Sequence, residues 1–381
     1  MRKLYPRRHD LGDATFSRSS SAYGLDGKMA ITNVPRIERT EFGKVVWIEE
    51  ATTNLVPVAN QKFVGWNAYG GASVILTQNQ AVPEWGATDA TRIQTNGGTH
   101  ILKYYIFLQS PSVDGQAYVT SLHIKNIGNH PVVIHTNLSS TSPQTVDVGE
   151  TTLVKIAGAG NGVNVFQIQI RALDAAHALD FIAWQPMAEA KEYATSFIET
   201  SRAAEYLTMP IAGLSPSVGT IEGIVEINDL IKNDSNGARR VFSMFRQSGY
   251  AIHLRYYNGY WELRVWDGAN TYSASIPDSL IPNGWYFYKT YWTGTSMTIE
   301  FWNLSTRKKV ASSTNTNVVM PTSSLTGFYL GCVPDKNLFA NTRFGRHRLS
   351  NIARTTDPDF NNLMPRDEYT VALFDPTYTF L

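Results

Sequence analysis

From residue 56 onward the chain alternates short apolar runs with Gly, Pro and Asn clusters, and the runs carry a period of two. In VNVFQIQI, Val163, Val165, Gln167 and Gln169 alternate with Asn164, Phe166, Ile168 and Ile170. Side chains two apart share one face of a strand, so this pattern predicts a strand with one face turned inward. ASVILTQ, ATRIQTN, HILKYYIFLQS, QAYVTSLHIKN, PVVIHTNL, TTLVKIAG and ALDFIAWQPM have the same short, strand-like form. Eight such runs between residues 56 and 200, with no helical stretch among them, predict an antiparallel sandwich or jelly roll.

Residues 201–381 keep this character. In YAIHLRYYNGYWELRVWDG, Asn258-Gly259 favours a two-residue type I′ hairpin turn. That turn sets Tyr257 opposite Tyr260, Tyr256 opposite Trp261, Leu254 opposite Leu263 and Ile252 opposite Val265. The last three pairs share one apolar face. The other face sets Arg255 against Glu262, an opposite-charge pair of the kind cross-strand energetics prefers, and His253 against Arg264. Turn chemistry and side-chain pairing therefore agree on one register. WYFYKTYW and SMTIEFWN predict a further strand pair around TGTS, and LTGFYLGC another strand.

Residues 1–55 read as extended and irregular, with a plausible strand in KVVWIEEATTNLVP. The segment is too poor in apolar residues to fold alone, so it is expected to lie against the next domain or another protein. The fold expected is all-β: an extended N-terminal segment (1–55) followed by two antiparallel β-sandwich (jelly-roll) domains, 56–200 and 201–381. Charged residues make up 17% of the chain and aromatics 12%, a mixture suited to pleated surfaces and loops. The net charge of +1 gives no field that would draw the chain to nucleic acid or membrane. No apolar run is long enough for membrane insertion, and MRKLYPRRHDLGD is not a secretory signal. Cys332 is the one cysteine, so no disulfide within the chain staples the fold.

At the joint, FIAWQPMAEAKEYATSFIETSRAAEYL resembles a segment recurrent in tail proteins of bacteriophages and prophages. Gln185, Glu189, Ala194, Thr195, Ser196, Phe197, Ile198, Thr200, Ser201, Arg202, Ala203, Ala204 and Glu205 carry the likeness. The opening segment resembles the same proteins through Arg18, Ser19, Ala22, Pro35, Arg36, Glu49, Glu50, Thr53, Asn54 and Leu55. NGWYFYKTYWTGTSMTIEFWN and RFGRHRLSNIARTTDPDF are similar to laminin-G/concanavalin-like domains found in such proteins. The resemblance implies a carbohydrate-binding-module-like jelly roll over 56–200 and a laminin-G-like sandwich over 201–381. It implies a virion location, other virion proteins and host-surface polysaccharide as partners, and a homo-oligomer, a trimer by analogy with fibres. The joint is short, so the two domains are expected to be packed rather than tethered.

Catalytic motifs are absent: there is no G-x-S-x-G, H-E-x-x-H, P-loop or EF-hand loop. Glu222 and Glu226 share a strand face but stand ~13 Å apart at the usual rise, beyond the ~5–9.5 Å of a glycosidase pair, so both are read as solvated. No catalytic residue, metal site or cofactor is assigned. His123, His130 and His135 lie on separate elements, and Asp180 falls where carbohydrate-binding jelly rolls often hold structural calcium. Binding fits better than catalysis. Sugar sites set aromatic platforms beside a few polar groups. The candidates are Trp66, Tyr69 and Trp85 in Gly-rich loops, and Tyr257, Tyr260, Arg255, Glu262, Arg264 and Trp266 on the outer hairpin face. Tyr104 or Tyr105 could add a further ring. Arg2, Lys3, Arg7 and Arg8 are candidates for docking on the virion. The expected function is a non-catalytic, tail-associated, receptor-binding adhesion protein. Its rivals are a purely architectural virion component, whose aromatics would fill subunit interfaces, and a glycan depolymerase.

Overall fold

The computed structural model describes residues 8–20, 22–23, 29–30, 32–69, 73–95, 101–106, 113–160, 166–173, 177–192, 194–232, 238–246, 249–333 and 338–379. It is all-β. Among these residues helix is confined to one turn at Asp229–Lys232 and a few 3-10 turns, and none is long and apolar enough to cross a membrane. The chain divides into two compact units. One comprises Ser21–Met29 and Thr52–Arg202; the other comprises Met1–Ser20, Ala30–Ala51 and Ala203–Leu381.

The first unit holds two five-stranded antiparallel sheets. One runs in the order Thr151–Ala159, Ala117–Asn126, Asp180–Glu189, Ala87–Thr95, Val74–Val82. The other runs Gln144–Val146, Val132–Thr136, Phe166–Ala172, Ile101–Ile106, Asn67–Tyr69. Each of the predicted runs contains a strand among its described residues. Ile168 and Ile170 are buried while Gln167 and Gln169 are half-buried, as a period of two requires; Val163, Asn164 and Val165 lie outside the described residues. Leu122, Ile124, Phe181, Ile134 and Ile168 come from both sheets and meet in one core, as stacked sheets do.

The central strand Asp180–Glu189 contains a proline, which its ladder explains. Register against Ala117–Asn126 slips between Ser121 and His123, and Gln185 adopts φ 52° there. The extra residue is a β-bulge, one of the few places where a central strand accepts proline. The carbonyl of Pro186 then accepts from Asn54 Nδ2 at 3.3 Å. Asn54 Nδ2 also donates to Ile198 O at 2.9 Å, and its Oδ1 accepts from Val56 N and Ala188 N. Nearby, the buried Glu189 carboxylate accepts from the Thr52 hydroxyl and from Thr195 N and Oγ1. Burial pushes this carboxyl up.

In the second unit two sheets face each other. The larger runs Arg8–Gly12, Thr370–Thr379, Thr342–Ser350, Gly219–Ile227, Gly284–Trp292, Met297–Asn303, Lys308–Asn315, with the hairpin Ile37–Thr40/Gly43–Ile48 added onto Thr342–Ser350. The smaller runs Thr15–Ser17, Tyr206–Met209, Leu325–Leu330, Arg239–Arg246, Gly249–Tyr257, Tyr260–Trp266, Thr271–Pro277. Tyr286, Tyr288, Trp292, Ile299 and Phe301 from one sheet pack on Phe242, Ile252, Leu254, Trp261 and Leu263 from the other. All of these are fully buried, each worth roughly 1.5–3 kcal/mol of transfer free energy. Cys332 is buried in the same core.

The extended segment expected over 1–55 is divided between the units. Residues 8–20 and 30–51 supply strands to the second unit's sheets, while Thr52–Thr53 pairs with Ser201–Arg202 in the first. Their low apolar content is offset by a buried ion network in the second unit. Glu205 Oε1 accepts from Arg18 Nη1 at 2.6 Å and from Arg36 Nε at 3.0 Å, and its Oε2 accepts from Arg36 Nη2 and from Glu49 N. Arg36 also reaches Glu49 Oε2 at 2.6 Å. Arg18 also donates to the carbonyls of Ser20, Ala30 and Val34. Two guanidiniums and two carboxylates balance, and these side chains are at most 1% exposed.

Candidate functional site

The predicted hairpin forms in the predicted register. Asn258 and Gly259 take φ 49° and 77°, the two positive values that a type I′ turn needs. The pairs Tyr257–Tyr260, Arg255–Glu262, Leu254–Leu263, His253–Arg264 and Ile252–Val265 all stand as expected. Ile252, Leu254 and Tyr256 with Trp261, Leu263 and Val265 face the core; of the alternate positions Tyr257, Tyr260, Glu262 and Arg264 reach solvent, whereas Ala251 and Arg255, the latter expected on the open face, are buried.

On that outer face Tyr257 and Tyr260 flank the turn, 36% and 47% exposed. Arg255 is fixed behind them. Its Nε and Nη2 lie 2.7 and 2.6 Å from Glu262 Oε2, and its guanidinium stands 4.4 Å from the Tyr257 ring centroid. A cation held over a ring by an ion pair stiffens the ring as well as the cation. Further along the strand, Arg264 and Trp266 are half-buried. The Arg246 guanidinium lies 4.5 Å from the Trp266 ring, with Nη1 donating to Asp267 O at 2.9 Å. Beyond Arg264 and Glu262 the next strand offers only the hydroxyls of Ser273 and Ser275. That strand, Thr271–Pro277, ends the sheet, so rings and charges border a shelf of small side chains.

His253, expected on this outer face, is buried instead. Burial, and then Arg240, Arg255 and Arg264, hold it well below the usual imidazole range, so it is neutral at pH 7. The arginines around it are long enough to cover its ring.

Elsewhere the structure separates the sequence candidates. Trp66 is not a presented ring. It is 8% exposed, donates Nε1–H to Asn60 O at 2.8 Å and packs on Phe63 at 4.7 Å between centroids. A 3-10 turn over Val58–Asn60 supplies that carbonyl and folds the loop over it. Trp85 is half-buried in a cluster on the first unit, edge-on to His123 at 4.8 Å and to Trp184 at 6.1 Å. His123 stacks on Trp184 at 5.0 Å, and burial with Lys155 nearby pushes it down to about 4. Tyr69, Tyr104 and Tyr105 lie in described strands, but their side chains fall outside the described residues. Arg2, Lys3 and Arg7 are also outside them; Arg8 opens a strand whose backbone pairs with Thr379.

The carboxylates have internal partners. Glu222 is buried, not solvated, and Arg348 grips it through Nε and Nη2 at 2.8 and 2.5 Å. Glu226 pairs with Arg343. Sequence spacing could not show this, because both arginines lie more than a hundred residues away on the adjacent strand. Glu222 and Arg348 border a cleft of about 240 Å³, whose Arg354 and Asp367 form a two-pronged pair at 2.7 Å. The Asp180 carboxylate is taken by Arg92 at 2.8 and 2.6 Å, which fills the place considered for calcium. Among the described residues no group of three or more ligating side chains gathers to hold a metal.

No protein-family model matches the chain, and no curated protein matches it. Solved structures similar to it include mouse laminin α1 chain domains LG4-5, at 10% identity over 87% of this chain and 95% of that one, TM-score 0.29. The tandem family 22 modules of Paenibacillus barcinonensis Xyn10C match at 10% identity over 78% of this chain and 96% of theirs, TM-score 0.28. Tailspike protein 2 of Escherichia coli O157:H7 bacteriophage CAB120 matches at 13% identity over 40% of this chain but only 23% of its own length, TM-score 0.27. Likeness at this level carries no argument; what the chain binds is argued from its side chains.

Proposed function

We propose that the chain is a non-catalytic glycan-binding adhesion protein of a phage virion, contacting host-surface polysaccharide through the outer hairpin face of its second unit. The observation that carries this reading is the pair Tyr257 and Tyr260. Both rings are exposed, neither hydroxyl makes a hydrogen bond among the described residues, and a tight turn with a fixed Arg255–Glu262 pair holds them in place. Rigid rings beside oriented polar groups suit a ligand with apolar C–H faces and hydroxyl edges. The virion setting rests on the recurrent residues of the opening segment and the joint.

A glycan array with the purified chain tests the reading. The double substitution Tyr257→Ala/Tyr260→Ala should abolish retention of bound glycans while leaving the melting temperature nearly unchanged. If instead it leaves glycan binding intact and lowers the mass seen by light scattering, the rings belong to a subunit interface and the architectural role stands. Release of reducing ends from a retained polysaccharide would favour the depolymerase.

A further inference from the structure

The charges on the hairpin face do not all close on one another. Arg255 is neutralised by Glu262. Arg246 is satisfied in part by Asp267 O and by the Trp266 ring. The Asp267 carboxylate turns into its own loop, accepting from Ala269 N and Asn270 N at 2.7 Å. Arg264 differs. It makes no ion pair among the described residues, and its Nε, like that of Arg246, is buried without a hydrogen bond. A guanidinium carries five donors in a planar fork, and a buried donor left unmade is costly. Burial, and then Arg255 across the face, hold Arg264 below the ordinary guanidinium range, against the opposing pull of Glu262.

Its placement favours a ligand. Along its strand Arg264 stands between Glu262 and Trp266, and across the sheet it faces Ser273 on the edge strand. The exposed Tyr260 and the half-buried Trp266 are six residues apart on that strand, ~20 Å at the usual rise. A chain of sugars laid along the shelf from Tyr260 towards Trp266 would pass over Arg264 about two-thirds of the way along. We propose that the glycan bound at this face is acidic, and that Arg264 receives a carboxylate of a uronic-acid residue as a two-pronged charge-assisted pair. The inference rests on the glycan-binding reading and names the class of polysaccharide. Fork-to-fork pairing with a planar carboxylate supplies both charge and direction, which a lysine in the same place would not.

Affinity electrophoresis of the full chain tests this against polygalacturonate, alginate and hyaluronan, their carboxyl-esterified forms, neutral dextran and xylan, and dextran sulfate. At least one of the uronate polymers should retard the protein, and esterifying that polymer should weaken retention about tenfold or more. Arg264→Gln should cause a similar loss, and Arg264→Lys should restore only part of it. The melting temperature of Arg264→Gln should not fall, because a desolvated cation is removed, so loss of binding cannot be ascribed to misfolding. Retention of neutral or esterified polymers as strong as that of the acids would overturn the inference and leave the glycan reading standing. So would dextran sulfate as the one polymer retained, with Arg264→Gln behaving like the parent. Retention of no polymer at all would sink both.

Discussion

Glu205→Gln isolates what the buried network contributes. The substitution keeps size and shape but removes one charge, so a balanced set of two cations and two anions becomes net positive inside the second unit. The amide offers one acceptor oxygen where the carboxylate served Arg18 Nη1, Arg36 Nε and Nη2, and Glu49 N with two. Its NH₂ group would then point a donor at a guanidinium. Removing one partner of a buried ion pair costs about 3–5 kcal/mol, chiefly because the other charge is left uncompensated. For a unit of this size that is a fall in melting temperature of roughly 6–20 °C. Differential scanning calorimetry beside urea titration would measure it, with Glu368→Gln at an exposed position as control. Arg36→Met should also be destabilising, and the double variant less so than the sum of the two, since the charges are coupled. A Glu205→Gln protein within ~1 kcal/mol of the parent would refute the view that this network holds the opening segment in place.

Further outcomes can be checked together. Leu254→Asp should cost several kcal/mol or prevent folding of the second unit, because it places a charge in a fully buried site; Tyr257→Ala should shift the urea midpoint little. His347 is fully buried, and burial pushes it down to about 4. Between pH 6.5 and about 4 the unfolded chain therefore takes up a proton that the folded chain refuses. Stability should fall as pH drops through that window, by on the order of 3 kcal/mol from this group. His347→Gln should show a shallower loss in urea titrations at pH 7 and about pH 4.5, and equal slopes would show that the ring is not held neutral. A fragment of residues 203–381 lacks the strands paired with Tyr206–Met209, Thr342–Ser350 and Thr370–Thr379. Its circular dichroism melt should show no cooperative transition, whereas the intact chain should melt sharply.

Local pairing was the part of this structure most legible in the sequence. The hairpin at Asn258-Gly259 could be written residue against residue because turn type, apolar face and charge pair are all settled within sixteen positions. The strands of the first unit were legible for the same reason: period two is a local property. What stayed hidden depended on distance along the chain. Arg18, Arg36, Glu49 and Glu205 stood out as recurrent residues, yet their shared role needs a contact 187 positions long. Glu222 read as solvated because nothing near it in sequence betrays Arg348. Trp66 read as displayed because glycines suggest an open loop, whereas the carbonyl of Asn60 gives its indole a partner indoors. Arg264 was named with its neighbours, and only the Arg255–Glu262 pair shows that, among the described residues, it is left without an ion pair.

The strand pairing of Asp10 with Thr377 has a consequence for biosynthesis. Residues 52–202 form a contiguous stretch and can close on themselves while the ribosome is still translating. The strand Arg8–Gly12 ahead of them cannot, since its neighbour Thr370–Thr379 is encoded more than 350 residues later. At ~5–20 residues per second that strand waits roughly 18–75 s for its neighbour to emerge. Arg18 and Arg36, for their part, remain hydrated at least until Glu205 emerges. A segment sparing in apolar side chains and rich in charge tolerates such a delay without clumping, which gives its composition a purpose in the nascent chain as well as in the finished fold.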